Sequence, residues 1–308
     1  MRSKKQINTE LIEEIQDFKK KRRAIILAHN YQIPEVQDIA DFLGDSLELS
    51  QKAARTDAKV ILFCGVRFMA ETAAVLSPHK TVLIPDMQAG CPLADMITVE
   101  DLRGLRKKHP HATVVCYVNT SAEIKAESDI CCTSANADRI VKALKAQTEI
   151  IFIPDRHLAH YASLKAGKDL LIWDGYCPVH IEISAQNILK QKKAHPAAKV
   201  IVHPECSAKV IDLADGVFST SGMCKYAKET TAKEIIVGTE NGFLYRLRKE
   251  NPDKEFYPAC EAAICWDMKR ITLEKVSWAL KNMQYKIEIS SQVQQKAKQT
   301  VNRMLEIT

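Results

Sequence analysis

The sequence predicts an α/β protein of three αβα sandwich domains with parallel sheets, related by a pseudo-threefold axis around a common centre. Three observations carry that expectation. Short apolar runs alternate with helical patterns, a unit recurs at steps of 88 and 86 residues, and one cysteine keeps that step in each unit. The runs are AIILAH (24–29), KVILFC (59–64), TVLIP (81–85), TVVCYV (113–118), EIIFIP (149–154), DLLIWD (169–174), KVIVH (199–203) and EIIVG (234–238). They are continuous rather than alternating, which is how parallel strands covered on both faces read.

Laid over one another, HNYQIPEVQDIADFLGDS (29–46), YVNTSAEIKAESDICCTS (117–134) and HPECSAKVIDLADGVFST (203–220) stay in register. His29, Tyr117 and His203 correspond, as do Tyr31, Asn119 and Glu205, and then Ser46, Ser134 and Thr220. Cys91 in AGCP, Cys177 in GYCP and Cys265 in AICWDM stand 86 and 88 residues apart. Each follows a strand and precedes a helical segment: TVEDLRGLRKKHP, HIEISAQNILKQKKAHP and TLEKVSWALKN. Three copies of one unit pack with their strand C-terminal ends converging, and open α/β sheets bind ligands at those ends.

The expected domains are 1–96 completed by 285–308, then 97–183, then 184–284. The first unit shows three clear strands against four in the others, so a strand at 285–290 and a final helix, SQVQQKAKQTVNRMLEI, are expected to return to it. No Gly-, Ser- or Pro-rich linker separates the units, which predicts tight packing.

Composition bounds the function. The 308 residues are 46% hydrophobic and 27% charged, ordinary for a globular protein. No stretch reaches the roughly 18–20 apolar residues of a membrane span and no secretion signal is present, so a cytoplasmic protein is expected. Ten cysteines at scattered spacings then read as reduced thiols, not a disulfide framework. A net charge of +6 is mild, and the densest basic run, KKKRR at 19–23, reads as a solvated helix end. With 6% aromatic residues and no stacking motif, neither nucleic acid nor membrane is an expected partner. GxGxxG and GxxxxGK[ST] are absent, which removes the dinucleotide and P-loop readings.

Three converging thiols suit a metal or iron–sulfur centre, and their wide spacing is unlike the local CxxC pairs of zinc ribbons. Three thiolates on a four-iron cluster leave one iron open as a Lewis acid, which points to elimination or condensation. The bland reading of each cysteine is a small buried hydrophobe. Cys260 competes with Cys265 as third ligand, but Cys265 keeps the repeat step. Cys64, Cys116, Cys206 and Cys224 read as core thiols, and Cys131 and Cys132 lie in a strand-like run. His157 and His160 lack the HExxH context of a zinc site. The repeat also brings polar groups to the centre: His29, Tyr31, Asp45 and Ser46 from the first unit, Tyr117, Asn119 and Ser134 from the second, His180, His203, Glu205, Ser219 and Thr220 from the rest. Histidines and helix-start hydroxyls suit carboxylate and phosphate oxygens. Each alone reads equally well as a cap or a satisfied core group. Glu205, near two histidines, is the candidate general acid–base, against the alternative of a surface charge.

The segments LAHNYQIPEVQDIADFLGDSLELS, FCGVRFMAETA, IPDMQAGCPLADM, CYVNTSAEIKAESDICCTSANA, WDGYCPVH, VHPEC, STSGM and CWDMKRITLEKV resemble the quinolinate synthase family over nearly the full length. The resemblance implies three similar α/β domains around a 4Fe-4S cluster held by Cys91, Cys177 and Cys265. It implies condensation of iminoaspartate with dihydroxyacetone phosphate to quinolinate in NAD biosynthesis, with loss of phosphate and water. Glu205 would be the acid–base group assisted by Tyr31 and His203, while Ser46 and Ser134 would hold phosphate or carboxylate oxygens. A transient contact with an iminoaspartate-producing enzyme follows from the same resemblance. The stretch CEAAIC lacks the CxxCxxC of some members, so thiol–disulfide control does not carry over. The rival readings are a zinc-dependent hydrolase using the same thiols and a metal-stabilised solute-binding protein.

Overall fold

The structure, a computed structural model, describes residues 4–145 and 147–307. Three four-stranded sheets repeat one topology. The first contains β1 (Ala24–His29), β2 (Phe42–Gly44), β3 (Val60–Cys64) and β4 (Thr81–Leu83) in the order β2-β1-β3-β4. The second contains β5 (Thr113–Tyr117), β6 (Ile130–Cys132), β7 (Ile150–Ile153) and β8 (Leu171–Ile172), ordered β6-β5-β7-β8. The third contains β9 (Lys199–Val202), β10 (Gly216–Val217), β11 (Glu234–Gly238) and β12 (Glu255–Pro258), ordered β10-β9-β11-β12. Every pairing within them is parallel, so each connection needs a crossover, and helices cover both faces.

The repeat extends to side chains that close each sheet. Asp41, Asp129 and Asp215 accept the backbone N–H of Ile26, Val114 and Val200 at 2.7, 2.8 and 2.8 Å, pinning the loop before the edge strand to the central strand. Lys80, Lys168 and Lys254 donate to the carbonyls that end the helices Ser46–Arg55, Ala137–Ala143 and Thr220–Glu229, satisfying acceptors the helices leave open. Thr98, Ser184 and Thr272 cap the helices Val99–Lys108, Ala185–Ala194 and Leu273–Asn282 that follow the three candidate metal cysteines.

The short edge strands β2 and β10 are absent from the apolar runs read in the sequence. Each is two or three residues long and carries a glycine, too little for a hydrophobic run to stand out. The strand expected at 285–290 is also not formed. Tyr285 and Ile287 instead pair antiparallel with Ile84 and Val82 at the edge of β4, leaving an isolated bridge. The final helix Ser291–Glu306 lies across two units. Gln294 donates to Ala74 O of the first, while Thr300 and Arg303 donate to Ser128 O and Asp129 O of the second. One apolar core runs through the first two sheets and this helix. The third sheet has its own clusters, Val200, Val202 and Ile236 on one face, Ile201, Ile235 and Val237 on the other. The basic run closes the helix Lys4–Arg22, where Lys19 pairs with Asp41 and Arg22 reaches Lys281 O. Among the described residues no helix is long and apolar enough to cross a membrane.

Candidate active site

A cavity lies where the C-terminal ends of the three sheets meet. His29, Tyr31, Asp45, Ser46, Tyr117, Asn119, Ser134, His180, His203, Glu205 and Thr220 line it, together with Cys91, Cys177 and Cys265. Ser219 does not. It caps the helix Thr220–Glu229 and donates to Asp45 Oδ2 at 3.0 Å, one layer behind the wall. Asp45 is similarly occupied, its Oδ1 accepting the N–H groups of Leu47 and Glu48 as a helix cap. The hydroxyl residues Ser46 and Thr220 open helices of 10 residues each, so two helix N-termini face the cavity. Thr220 Oγ1 accepts from Asn30 at 2.7 Å.

The ten cysteines divide by burial. Cys91, Cys177 and Cys265 are half-buried at the cavity wall, and the other seven are buried. Cys260 lies in the third unit's core and does not reach the wall. Each wall thiol sits just before a helical turn and receives the backbone N–H three residues on: Ala94 to Cys91, His180 to Cys177, Met268 to Cys265. Such N–H···S bonds favour thiolates and tune a bound metal. Burial nevertheless pushes all three thiols up, Cys265 to about 11, so a strong positive centre is what would ionise them.

The donor geometry separates two kinds of metal. In a tetrahedral zinc site sulfurs stand about 3.8 Å apart. Among the described residues, the one trio whose ligand atoms all lie within 4.8 Å is Cys177, His180 and Glu205, so the three thiols are spread more widely than that. Thiolates carried by different irons of a cluster take the wider spacing. The three thiols are soft donors that suit a metal centre, and they do not converge on one point as the ligands of a single ion do.

Beside the thiols runs a chain of hydrogen bonds. Tyr31 Oη lies 2.5 Å from Thr239 Oγ1, which lies 2.9 Å from His180 Nε2. His180 Nδ1 stands 2.7 Å from Glu205 Oε2 and 3.1 Å from Cys177 Sγ. Glu205 Oε1 accepts from the Tyr117 hydroxyl at 2.6 Å, with Asn119 Nδ2 at 3.5 Å. Directing the His180 Nδ1 proton to the carboxylate leaves Nε2 to accept from Thr239, and Thr239 to accept from Tyr31. His203 stacks on His180 with ring centres 4.6 Å apart, and His29 meets Tyr31 edge-on at 4.5 Å.

The charges in this chain follow from burial and neighbours. Burial opposes ionisation of Glu205, but His180, His203 and the hydrogen bonds from His180 and Tyr117 outweigh it and hold the carboxyl well below the usual carboxylate range. Burial lowers His203 to about 3 against the pull of Glu205, and lowers His29 to about 3 with help from His203 and Lys269. Burial and the Glu205 charge push the Tyr31 and Tyr117 hydroxyls up. At neutral pH Glu205 is therefore a carboxylate, His29 and His203 are neutral imidazoles, and Tyr31 and Tyr117 are phenols able to donate.

The repeat register did not single out Thr239, Glu240 or Lys269, although TENG (239–242) directly follows the β11 run, where an α/β sheet carries its site. It also left out the apolar wall, Val66, Phe68, Met69, Val179 and Met268, which nothing in a linear pattern separates from core.

Comparison with known proteins converges on one family. Residues 13–306 match the family model described as Quinolinate synthetase A protein. A quinolinate synthase of Dehalococcoides mccartyi is 54% identical over 301 residues, covering 97% of this chain and 99% of the relative. One from Thermodesulfovibrio yellowstonii is 55% identical over 295 residues, 96% of this chain and 97% of the relative. One from Methanosarcina barkeri is 52% identical over 298 residues, 97% and 98% respectively.

Proposed function

Because the chain belongs to the quinolinate synthetase A protein family and is an enzyme of that kind, we propose that it condenses iminoaspartate with dihydroxyacetone phosphate, releasing phosphate and water, to form quinolinate for NAD biosynthesis. The observation that carries the reading is the meeting of three half-buried thiols, one from each sheet unit, with an ionised, histidine-flanked carboxylate in one cavity. The three domains, bounded at 1–96 with 285–308, 97–183 and 184–284, belong to the same proposal, as does a cytoplasmic location.

Cys91, Cys177 and Cys265 would hold a 4Fe-4S cluster. When bound, it supplies an iron without a protein ligand, a Lewis acid for the dehydration. The chain's own residues do the rest. The helix N-termini at Ser46 and Thr220, with Ser134, bind the phosphate and carboxylate oxygens of two anionic substrates. Glu205, ionised and within reach of donors on both sides, takes a proton from a substrate carbon or nitrogen and returns one to a leaving hydroxyl. Tyr117 and His180 hold its two oxygens so that the same carboxylate serves both steps. Tyr31, through Thr239 and His180, gives the proton a path across the cavity. His203 and His29, kept neutral by burial, orient substrate oxygens without adding a competing positive charge. The apolar wall of Val66, Phe68 and Met69 excludes the water that would hydrolyse an imine.

The test is anaerobic quinolinate production from the two substrates, with iron, sulfide and zinc quantified on the same sample. Brown protein with iron and sulfide in near-equal amounts and substrate-dependent quinolinate is expected. A colourless, air-stable protein carrying one zinc on Cys177, His180 and Glu205 would overturn this reading in favour of a hydrolase or a solute-binding protein.

A further inference from the structure

Glu240 stands two residues past the end of β11 and is 0% exposed. Its Oε1 accepts the backbone N–H of Cys265 at 3.1 Å and pairs with Lys269 Nζ at 2.8 Å, while Oε2 accepts the N–H of Gly242 at 2.8 Å. The same Lys269 ammonium donates to the backbone oxygen of Tyr31. We propose that Glu240 is a positioning residue which, with Lys269, locks the loop carrying the Cys265 thiol to the loop carrying Tyr31. The proposal rests on Cys265 being a metal thiol and deepens that reading.

Two further features show that the seam is built for this pair. A side chain at position 242 would strike Lys269 Nζ and approach Tyr31 O to 2.8 Å and Glu240 Oε2 to 2.9 Å, so glycine leaves the room the ion pair occupies. Gln37 Nε2 closes the other side, donating to Gln32 O at 2.8 Å and Gly242 O at 2.9 Å. In the second unit Asp155, two residues past the end of β7 and also 0% exposed, instead caps the next helix, its Oδ1 accepting the N–H groups of His157 and Leu158 at 2.9 and 2.7 Å. The first unit has Val66 at that place and relies on Arg67 N–H to Ala89 O at 2.8 Å instead. The Cys265 loop is thus held through a buried carboxylate that is coupled onward, through Lys269, to a neighbouring unit. A buried charge is retained at such a place because removing one partner strands the other, while a misplaced group costs turnover steeply.

The experiment compares two double variants, Glu240→Leu with Lys269→Met and Glu240→Gln with Lys269→Met. Neither leaves a stranded charge, and only the second restores an acceptor for the Cys265 N–H. On the full chain stripped of metal, iodoacetamide labelling is read by mass spectrometry as the rate of Cys265 relative to Cys91. Loss of one hydrogen bond predicts a ratio about fivefold higher in the Leu variant and near the parental value in the Gln variant. In the metal-loaded protein both doubles are expected to lose about tenfold in kcat, because each frees Tyr31. An unchanged ratio in the Leu variant, equal ratios in the two doubles, or Cys91 and Cys265 accelerating together would overturn the proposal. The labelling arm needs no substrate, so its result stands apart from whether quinolinate is made.

Discussion

Glu205 and Tyr117 meet at 2.6 Å although 88 residues separate them in the chain, and the bond crosses from the second sheet unit to the third. Both are buried, and the hydroxyl is among the groups that keep the carboxyl ionised. The site is therefore assembled by packing the units, not by any one of them.

Glu205→Gln removes the charge while keeping the size. Anaerobic quinolinate formation is expected to fall by about a hundredfold or more, in line with loss of a general acid–base group. Iron content and the visible spectrum should match the parent, and a variant with parental turnover would remove the assigned role.

Serine at Cys91, Cys177 or Cys265 is expected to abolish stable iron binding, each change removing one ligand from the shared centre. Cys260→Ala should retain full iron, since that thiol sits in the third unit's core away from the cavity. Iron per chain after anaerobic reconstitution decides between them.

The Asp215 carboxylate accepts the Val200 N–H at 2.8 Å and pairs with Lys199 at 2.9 Å. Burial opposes its charge, but these two partners outweigh it and hold the carboxyl below the usual carboxylate range. A depressed value in the folded state adds stability above the unfolded value of about 3.9, and that stability disappears as pH falls through the folded one. Asp215→Asn keeps an oxygen for the Val200 N–H but turns a charge-assisted bond into a neutral one, which should cost about 1 kcal/mol at pH 7, while the half-exposed Lys199 pair is screened and adds little. Urea melts should show the gap closing as pH falls below the usual carboxylate range; a gap of constant size would contradict the assignment.

Gly175 precedes Cys177 at a point where a Cβ would strike the backbone oxygen of Pro154. Backbone cannot yield as a side-chain tip can, so Gly175→Ala is expected to lose about 1–3 kcal/mol of stability. Denaturant midpoints at constant m-value measure it, and an undiminished midpoint would show that the loop moves freely.

The three-unit architecture was legible because parallel strands buried on both faces write themselves as unbroken apolar runs, and because a duplicated unit keeps its register. Matching steps picked out Tyr31, Asn119 and Glu205 as one layer, and the structure lines one cavity with all three. The same logic extended to Ser219 and Asp45, whose side chains turn out to cap helices and bond each other. A repeat shows that positions are equivalent in the fold, and equivalent positions need not face the same way once the units pack. The final helix touches the first unit, to which it was expected to return, and also the second, since an amphipathic helix shows an apolar face without saying which surfaces will bury it.

By itself the sequence determined the sheet class, the threefold repeat and which thiol each unit offers, because these are local patterns copied at constant spacing. Only the tertiary structure decided that His180 joins Tyr31 to Glu205 through Thr239, and that Glu240 ties Cys265 to Tyr31 by way of Lys269. Those bonds span different units, and their lengths depend on how the units dock. Docking is set by the summed burial of surfaces far from the site, which no short stretch of residues encodes.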